Sequence, residues 1–334
     1  MARIVLGLGC SHSPILILEG EEWVHRSRDD QKNKSLYTLE GRKISYDDLR
    51  AERGEPFASQ SDPARFPLQA RQAEAALDRL EAQLLAVKPD VVLVIGDDQD
   101  ELFGFDNMPS FAVYTGQEVV MKEMPLPHPR LTWTDKAFWA GYGMDLPHRF
   151  PAAPELARDL VKGLIRQGVD VAVSDSVPDP ARRAFGHAYG FIYQRLMKRL
   201  QVPMLPVLIN TYFPPNNPTA ARCFQIGSAI AHALQASPLD LRVAVVASGG
   251  LSHFLCEEAF DRRVMQALKS HDVGLLSQIP QEALCSGSSE TRNWITLAGA
   301  VGHLNCSYDE YIPVYRTPVG TGIGLGFAAW TESA

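Results

Sequence analysis

The feature that most constrains this chain is a repeated alternation of helix-forming stretches with short, wholly apolar runs. Residues 68–86 place Leu77, Leu80, Leu84 and Leu85 at helical spacing among strong helix formers. After Lys88-Pro89-Asp90 comes the run Val91 to Ile95, which has no polar alternation and so reads as a strand covered on both faces. The unit recurs as a helix around 154–167 before a strand at 169–174, a helix around 187–200 before 203–209, and a helix around 220–235 before 241–247. Residues 3–8 supply one more strand at the start. Such succession closes right-handed crossovers, and the expected fold is α/β, with a mainly parallel central sheet and helices on both faces.

No compositional break or internal repeat divides the chain, so 1–334 reads as a single domain. The polar, charge-rich stretch 20–65 stands apart as a surface excursion or lid with short helical pieces. From about residue 258 the chain reads as more helical, with a helix over 290–303. The closing run Gly320-Thr321-Gly322-Ile323-Gly324-Leu325-Gly326 lacks the context and acidic partner of a dinucleotide fingerprint, and reads as a tightly packed strand.

Ligands of open α/β sheets gather beyond the carboxyl ends of the strands. Here those ends carry Cys10-Ser11-His12-Ser13-Pro14, Gly96-Asp97-Asp98-Gln99-Asp100, Asn210-Thr211 and Ser248-Gly249-Gly250-Leu251-Ser252-His253, while Glu290 stands at the mouth of the late helix. Imidazoles and carboxylates brought together with open positions suit a divalent metal such as non-haem Fe(II). Taken singly, each has an ordinary reading as a hydrogen-bonded turn residue or a helix-capping carboxylate.

A net charge of −7 excludes nucleic acid as the main partner, because phosphate binding needs a concentrated positive field. Nothing approaches the ~20 apolar residues of a membrane span, and the start lacks the pattern of a secretory signal. Five scattered cysteines without close pairs fit reduced thiols. Together these point to a cytoplasmic protein with a small-molecule partner and no membrane.

A longer set of motifs runs through the chain in order: Gly9-Cys10-Ser11-His12-Ser13-Pro14, Lys88-Pro89-Asp90-Val91-Val92, residues 107–113, Gly186-His187-Ala188-Tyr189-Gly190-Phe191, Asn210-Thr211-Tyr212-Phe213-Pro214-Pro215, residues 248–253, and Glu290-Thr291-Arg292-Asn293-Trp294. In these the chain resembles the class III extradiol ring-cleavage dioxygenases, near the protocatechuate 4,5-dioxygenase catalytic subunit and the gallate and 3-O-methylgallate dioxygenase-like members. The resemblance implies a metal, Fe(II) or else Mn(II) or another divalent ion, a small aromatic catechol substrate with O2, and a homo-oligomer, at least a homodimer. It implies His12 as first metal ligand, Glu290 as the carboxylate ligand, His253 as the acid–base group and His187 beside the substrate.

At the second ligand histidine the chain departs from that pattern. Gln99 stands in its place and Asp100 one step later, and both are candidate oxygen ligands. The departure leaves two alternatives open, a non-catalytic partner subunit and a metal-dependent hydrolase. His128, in a Pro-rich loop, reads as structural or pocket-lining, and Tyr212 and Phe213 as pocket wall. Arg292 and Asn293, one turn from Glu290, read equally as groups that orient it or meet a substrate carboxylate and as a solvated helix face.

Overall fold

A computed structural model describes residues 1–332. At its centre is a nine-stranded sheet. Its strands in chain order are β1 (Arg3–Cys10), β2 (Val91–Asp97), β3 (Phe111–Tyr114), β4 (Ala172–Ser174), β5 (Met204–Ile209), β6 (Arg242–Ser248), β7 (His253–Leu255), β8 (Asn305–Tyr315) and β9 (Thr321–Thr331). Across the sheet they lie in the order β7-β9-β1-β6-β2-β5-β3-β4, with β8 paired on β9. The inner four, β1, β6, β2 and β5, are mutually parallel. Antiparallel pairings flank them at β5–β3 and β1–β9.

The apolar runs explain the layering. Every residue of β2 is buried, and its side chains alternate between two cores. Val91, Leu93 and Ile95 pack with the helices Pro154–Arg166, Ala220–Gln235 and Thr291–Ala300. Val92 and Val94 pack on the opposite face with the Phe66–Val87 helix. A strand covered twice cannot carry polar alternation, which is why its sequence reads as a continuous β-branched run. Because the inner strands run the same way, their carboxyl ends, with the polar turns that follow, share one edge of the sheet.

Three expectations are corrected. The strand expected at 169–174 shortens to Ala172–Ser174, an edge strand paired only with β3, where Val173 is half exposed. The helix expected over 187–200 runs as an α-helix only through His187–Ile192 and continues as a π turn, Tyr193–Met197. The final third is helical over Glu258–Ser270 and Thr291–Ala300 as expected, but before the expected closing strand it adds an unforeseen one, and β8 and β9 form a long antiparallel hairpin. The glycine-rich segment lies in that hairpin. A Cβ at Gly322 would run into the Val314 carbonyl and one at Gly324 into the Asp261 carboxylate, so close approach, not nucleotide binding, accounts for the glycines.

Residues 20–65 form two short helices, Val24–Asp30 and Tyr46–Arg53, and a small hairpin of Leu36–Tyr37 with Lys43–Ile44. Leu36, Ile44 and Leu49 pack against Leu255 and Val319 at the β7 edge of the sheet. A buried ion pair pins the segment: Arg316 Nε and Nη2 donate to Asp30 Oδ2 and Oδ1 at 2.8 and 3.2 Å, and both side chains are 2% exposed. Among the described residues no helix is long and apolar enough to cross a membrane.

Candidate metal centre and catalytic site

His12 follows β1 and is almost fully buried. Its turn is held to β9, because the Ser11 N–H donates to the Gly326 carbonyl and Ser11 Oγ accepts from the Gly326 N–H. The imidazole's tautomer follows from its neighbours. Ser248 Oγ donates to the Ala188 carbonyl at 2.6 Å and so must accept from His12 Nδ1, 2.8 Å away. With the proton on Nδ1, Nε2 presents its lone pair. That nitrogen is buried, lies 3.3 Å from Glu290 Oε2 and makes no hydrogen bond.

Four groups could hold a metal around this lone pair. Ligand atoms of His12, Asp97, His187 and Glu290 all lie within 4.8 Å of one another. Asp97 is the last residue of β2 and fully buried. His187 opens its helix, and its Nδ1 is 2.8 Å from Glu101 Oε1, a carboxylate that fixes the ring and leaves Nε2 for the cluster. Glu290 sits where a 3-10 turn passes into the Thr291–Ala300 helix, and its Oε2 accepts the Gly250 N–H at 2.6 Å.

The electrostatics favour a cation here. Burial raises the Asp97 carboxyl above its ordinary value and the charge on Glu290 raises it further, against smaller opposing effects from His12 and His187. Burial likewise works against charge on Glu290, but His253 and His12 more than offset it and hold this carboxyl well below the usual range. For His187 burial opposes the charge, yet Glu101 overcomes it and raises the imidazole to about 10. A site with two crowded carboxylates and an unpaired imidazole nitrogen fits a divalent ion.

His253 completes the group from the far side of Glu290. Its Nδ1 donates to the Leu251 carbonyl at 3.0 Å, so Nε2, 3.3 Å from Glu290 Oε1, is the nitrogen that can exchange a proton. Burial lowers its pKa, but Glu290 outweighs this and the net shift is upward. The ring lies flat on Gly287, where any side chain would collide with it. Ser252, just before it, is held by the buried Asp261, which accepts from both its N–H and its hydroxyl at 2.9 and 2.6 Å.

The two candidates for the missing histidine separate. Gln99 turns its amide Nε2 inward as a donor, to Asp97 Oδ2 at 2.9 Å and Glu290 Oε1 at 3.4 Å. Asp100 is not brought to the cluster; it adopts a left-handed backbone (φ 63°) and faces Arg183 Nη1 at 3.6 Å. The residue that does reach the cluster from this turn is Asp97, which sequence reasoning placed in the turn but did not choose. Its signal was a carboxylate closing a fully apolar run. Glu101 was missed altogether, since only the fold brings it to His187.

The remaining candidates are spread around the site. Asn293 Nδ2 donates to the Ser248 carbonyl at 2.8 Å and reaches Asp97 Oδ1 at 3.5 Å. Arg292 is fully buried and bonds to the carbonyls of Pro218, Thr211, Leu284 and Ser289 and to Gln281 Oε1. Tyr212 lines a cavity beside His253, while Phe213 packs edge-on against Phe105. His128 builds its own turn, accepting the Arg130 and Leu131 N–H groups.

A parallel sheet that gathers imidazoles and carboxylates beyond its carboxyl ends, around a buried lone pair, defines an α/β protein suited to holding a divalent metal. Residues 67–325 match the family described as the catalytic LigB subunit of aromatic ring-opening dioxygenase, and the chain belongs to that family. It is 26% identical over 183 residues to a 2,3-dihydroxyphenylpropionate/2,3-dihydroxicinnamic acid 1,2-dioxygenase of Azotobacter vinelandii, covering 54% of this chain and 49% of the relative. A protein of the same name from a Mycobacterium strain is 32% identical over 171 residues, 49% of this chain and 44% of the relative. A gallate dioxygenase of Pseudomonas putida is 31% identical over 113 residues, 32% and 33% of the two chains. The matched part thus spans about half or less of these curated relatives.

Proposed function

We propose that this chain opens the ring of a substituted catechol beside its diol, with insertion of both atoms of O2. A divalent ion, Fe(II) or Mn(II), would be held by His12 Nε2, Asp97 and Glu290, with Asp97 in place of the expected second histidine. The observation that carries this reading is the buried, unpaired Nε2 of His12 facing two carboxylates and a second imidazole. When bound, the metal would lower the pKa of the catechol hydroxyls and let electrons pass from the catecholate, the reductant, to O2.

The chain's own groups divide the remaining work. His253 Nε2, its partner nitrogen committed to Leu251, takes a proton from the catechol and returns it after the ring opens. His187, its Nδ1 paired with Glu101, offers a fixed donor to negative charge that develops beside it. Gln99 steadies the two carboxylates. We take the protein to be a cytoplasmic homo-oligomer; its free cysteines fit a reducing compartment.

The glutamine at the expected histidine motivates two rivals, a silent partner subunit and a metal-dependent hydrolase. Neither is favoured, because the family match and the preformed ligand group support a ring-opening enzyme. The test is anaerobic loading with Fe(II) or Mn(II), followed by oxygen uptake and the yellow ring-opened product across a catechol panel. A metal-loaded protein that consumes no oxygen with any catechol would refute the reading.

A further inference from the structure

Next to the proton-exchanging histidine lies a cavity of about 630 Å³, within the range of small-molecule sites, ~300–1,000 Å³. It adjoins the proposed reaction centre through its inner wall. Phe254 follows His253 directly and meets its ring edge-on, and Tyr212 lies 3.4 Å from Ser286 Oγ, one residue before the glycine under the His253 ring. The outer wall comes from the docked excursion, with Tyr37 and Glu40, and from Glu282.

The charge of this cavity is one-sided. Glu40 and Glu282 are both exposed at it. Arg292 is the one cation among the described residues that line it, and it is committed to four main-chain carbonyls and Gln281. Lys34 lies between two lining residues but does not itself line the cavity. Arg42 and Arg53 stand near Glu40, but neither lines the cavity and their ion pairs are with Glu52 and Glu257, so a carboxylate-bearing side chain placed here would meet two negative charges and no unpaired cation among the described residues of the wall. An ammonium would meet two attractive charges, and its methylene stem would lie against aromatic walls.

We infer that this cavity receives the substrate's ring substituent and selects a catechol whose side chain ends in an ammonium over one that ends in a carboxylate. The inference rests on the ring-cleavage reading for its placement of the diol, and gives that site its substrate class. Two carboxylates at ~7 Å in water-like surroundings favour the ammonium over the carboxylate about fifty-fold without salt, and about five-fold at physiological ionic strength.

The test compares three catechols with side chains of equal length ending in an ammonium, an amide and a carboxylate. Anaerobic binding to the metal-loaded protein and oxygen uptake are both measured, at low and at physiological salt. Binding should follow the order ammonium, amide, carboxylate, with the spread narrowing as salt rises. In the folded Glu40→Lys/Glu282→Lys variant the order should reverse. Equal binding of all three, a preference for the carboxylate, or no binding at all overturns the inference. If oxygen uptake with unsubstituted catechol persists in those cases, ring cleavage stands without it. The expected binding order with no oxygen uptake from any catechol would instead uphold the subsite and remove the ring-cleavage reading.

Discussion

Replacing Asp30 with alanine removes one half of the buried ion pair that pins the 20–65 excursion to the sheet. In the parent, Arg316 makes two bonds to the carboxylate and a long one, 3.5 Å, to the Gly322 carbonyl. Without Asp30 that guanidinium keeps only the long bond. It also faces Arg26, another largely buried cation, whose nearest carboxylate is Asp29 at 3.3 Å. Leaving a buried charge uncompensated costs about 3–5 kcal/mol. Unfolding entropy of roughly 2.1 cal/mol/K per residue gives about 0.7 kcal/mol/K for a chain of 334 residues, so the melting temperature should fall by about 4–7 °C. Differential scanning calorimetry measures this, and limited proteolysis should show new cleavage within 20–65. Asp30→Leu/Arg316→Met, which removes both charges, should recover more than half of the loss. An Asp30→Ala protein that melts within a degree of the parent and gains no cleavage site would refute the reasoning.

At the reaction centre, His253→Gln should retain metal and keep its melting temperature while turnover per metal-loaded site drops by roughly 10²–10⁴; unchanged turnover removes His253 from the mechanism. Asp97→Ala should lose stoichiometric metal whereas Gln99→Ala keeps it, as read by plasma emission spectroscopy, and the opposite pattern would make Gln99 the ligand. The buried Asp261 supplies a pH test, since burial raises its carboxyl from 3.8 to about 6. A carboxyl whose folded pKa lies above its unfolded value is destabilising when ionised, so this group's contribution improves as pH falls through about 6 and is complete below 3.8. Relative to Asp261→Asn, the parent should therefore gain about 1 kcal/mol of urea-measured stability between pH 7 and pH 5; a difference that does not change with pH contradicts it.

The sequence by itself determined the sheet's core, because strands buried on both faces must be apolar throughout, and Val91 to Ile95 and Val243 to Ala247 have no other stable reading. It also placed His12, His253 and Glu290 at element ends facing one edge, since parallel strands bring their carboxyl ends together. The β8–β9 hairpin escaped notice because Asn305–Tyr315 carries two adjacent exposed charges, Asp309 and Glu310, that break any apolar alternation, and Pro313 near its end, so a half-exposed strand leaves only a weak two-residue period.

What the sequence could not decide was which atom of each turn meets the others. Four consecutive polar residues, Asp97 to Asp100, look interchangeable along the chain. In the fold Asp97 reaches the cluster, Asp98 accepts the Glu101, Leu102 and Phe103 N–H groups, Gln99 bridges two carboxylates, and Asp100 turns out to Arg183. The same holds for His187, whose ring is aimed by Glu101 from a turn 86 residues earlier. Such assignments depend on differences of one rotation about the backbone and on partners far away in sequence, and only the packed tertiary structure supplies both.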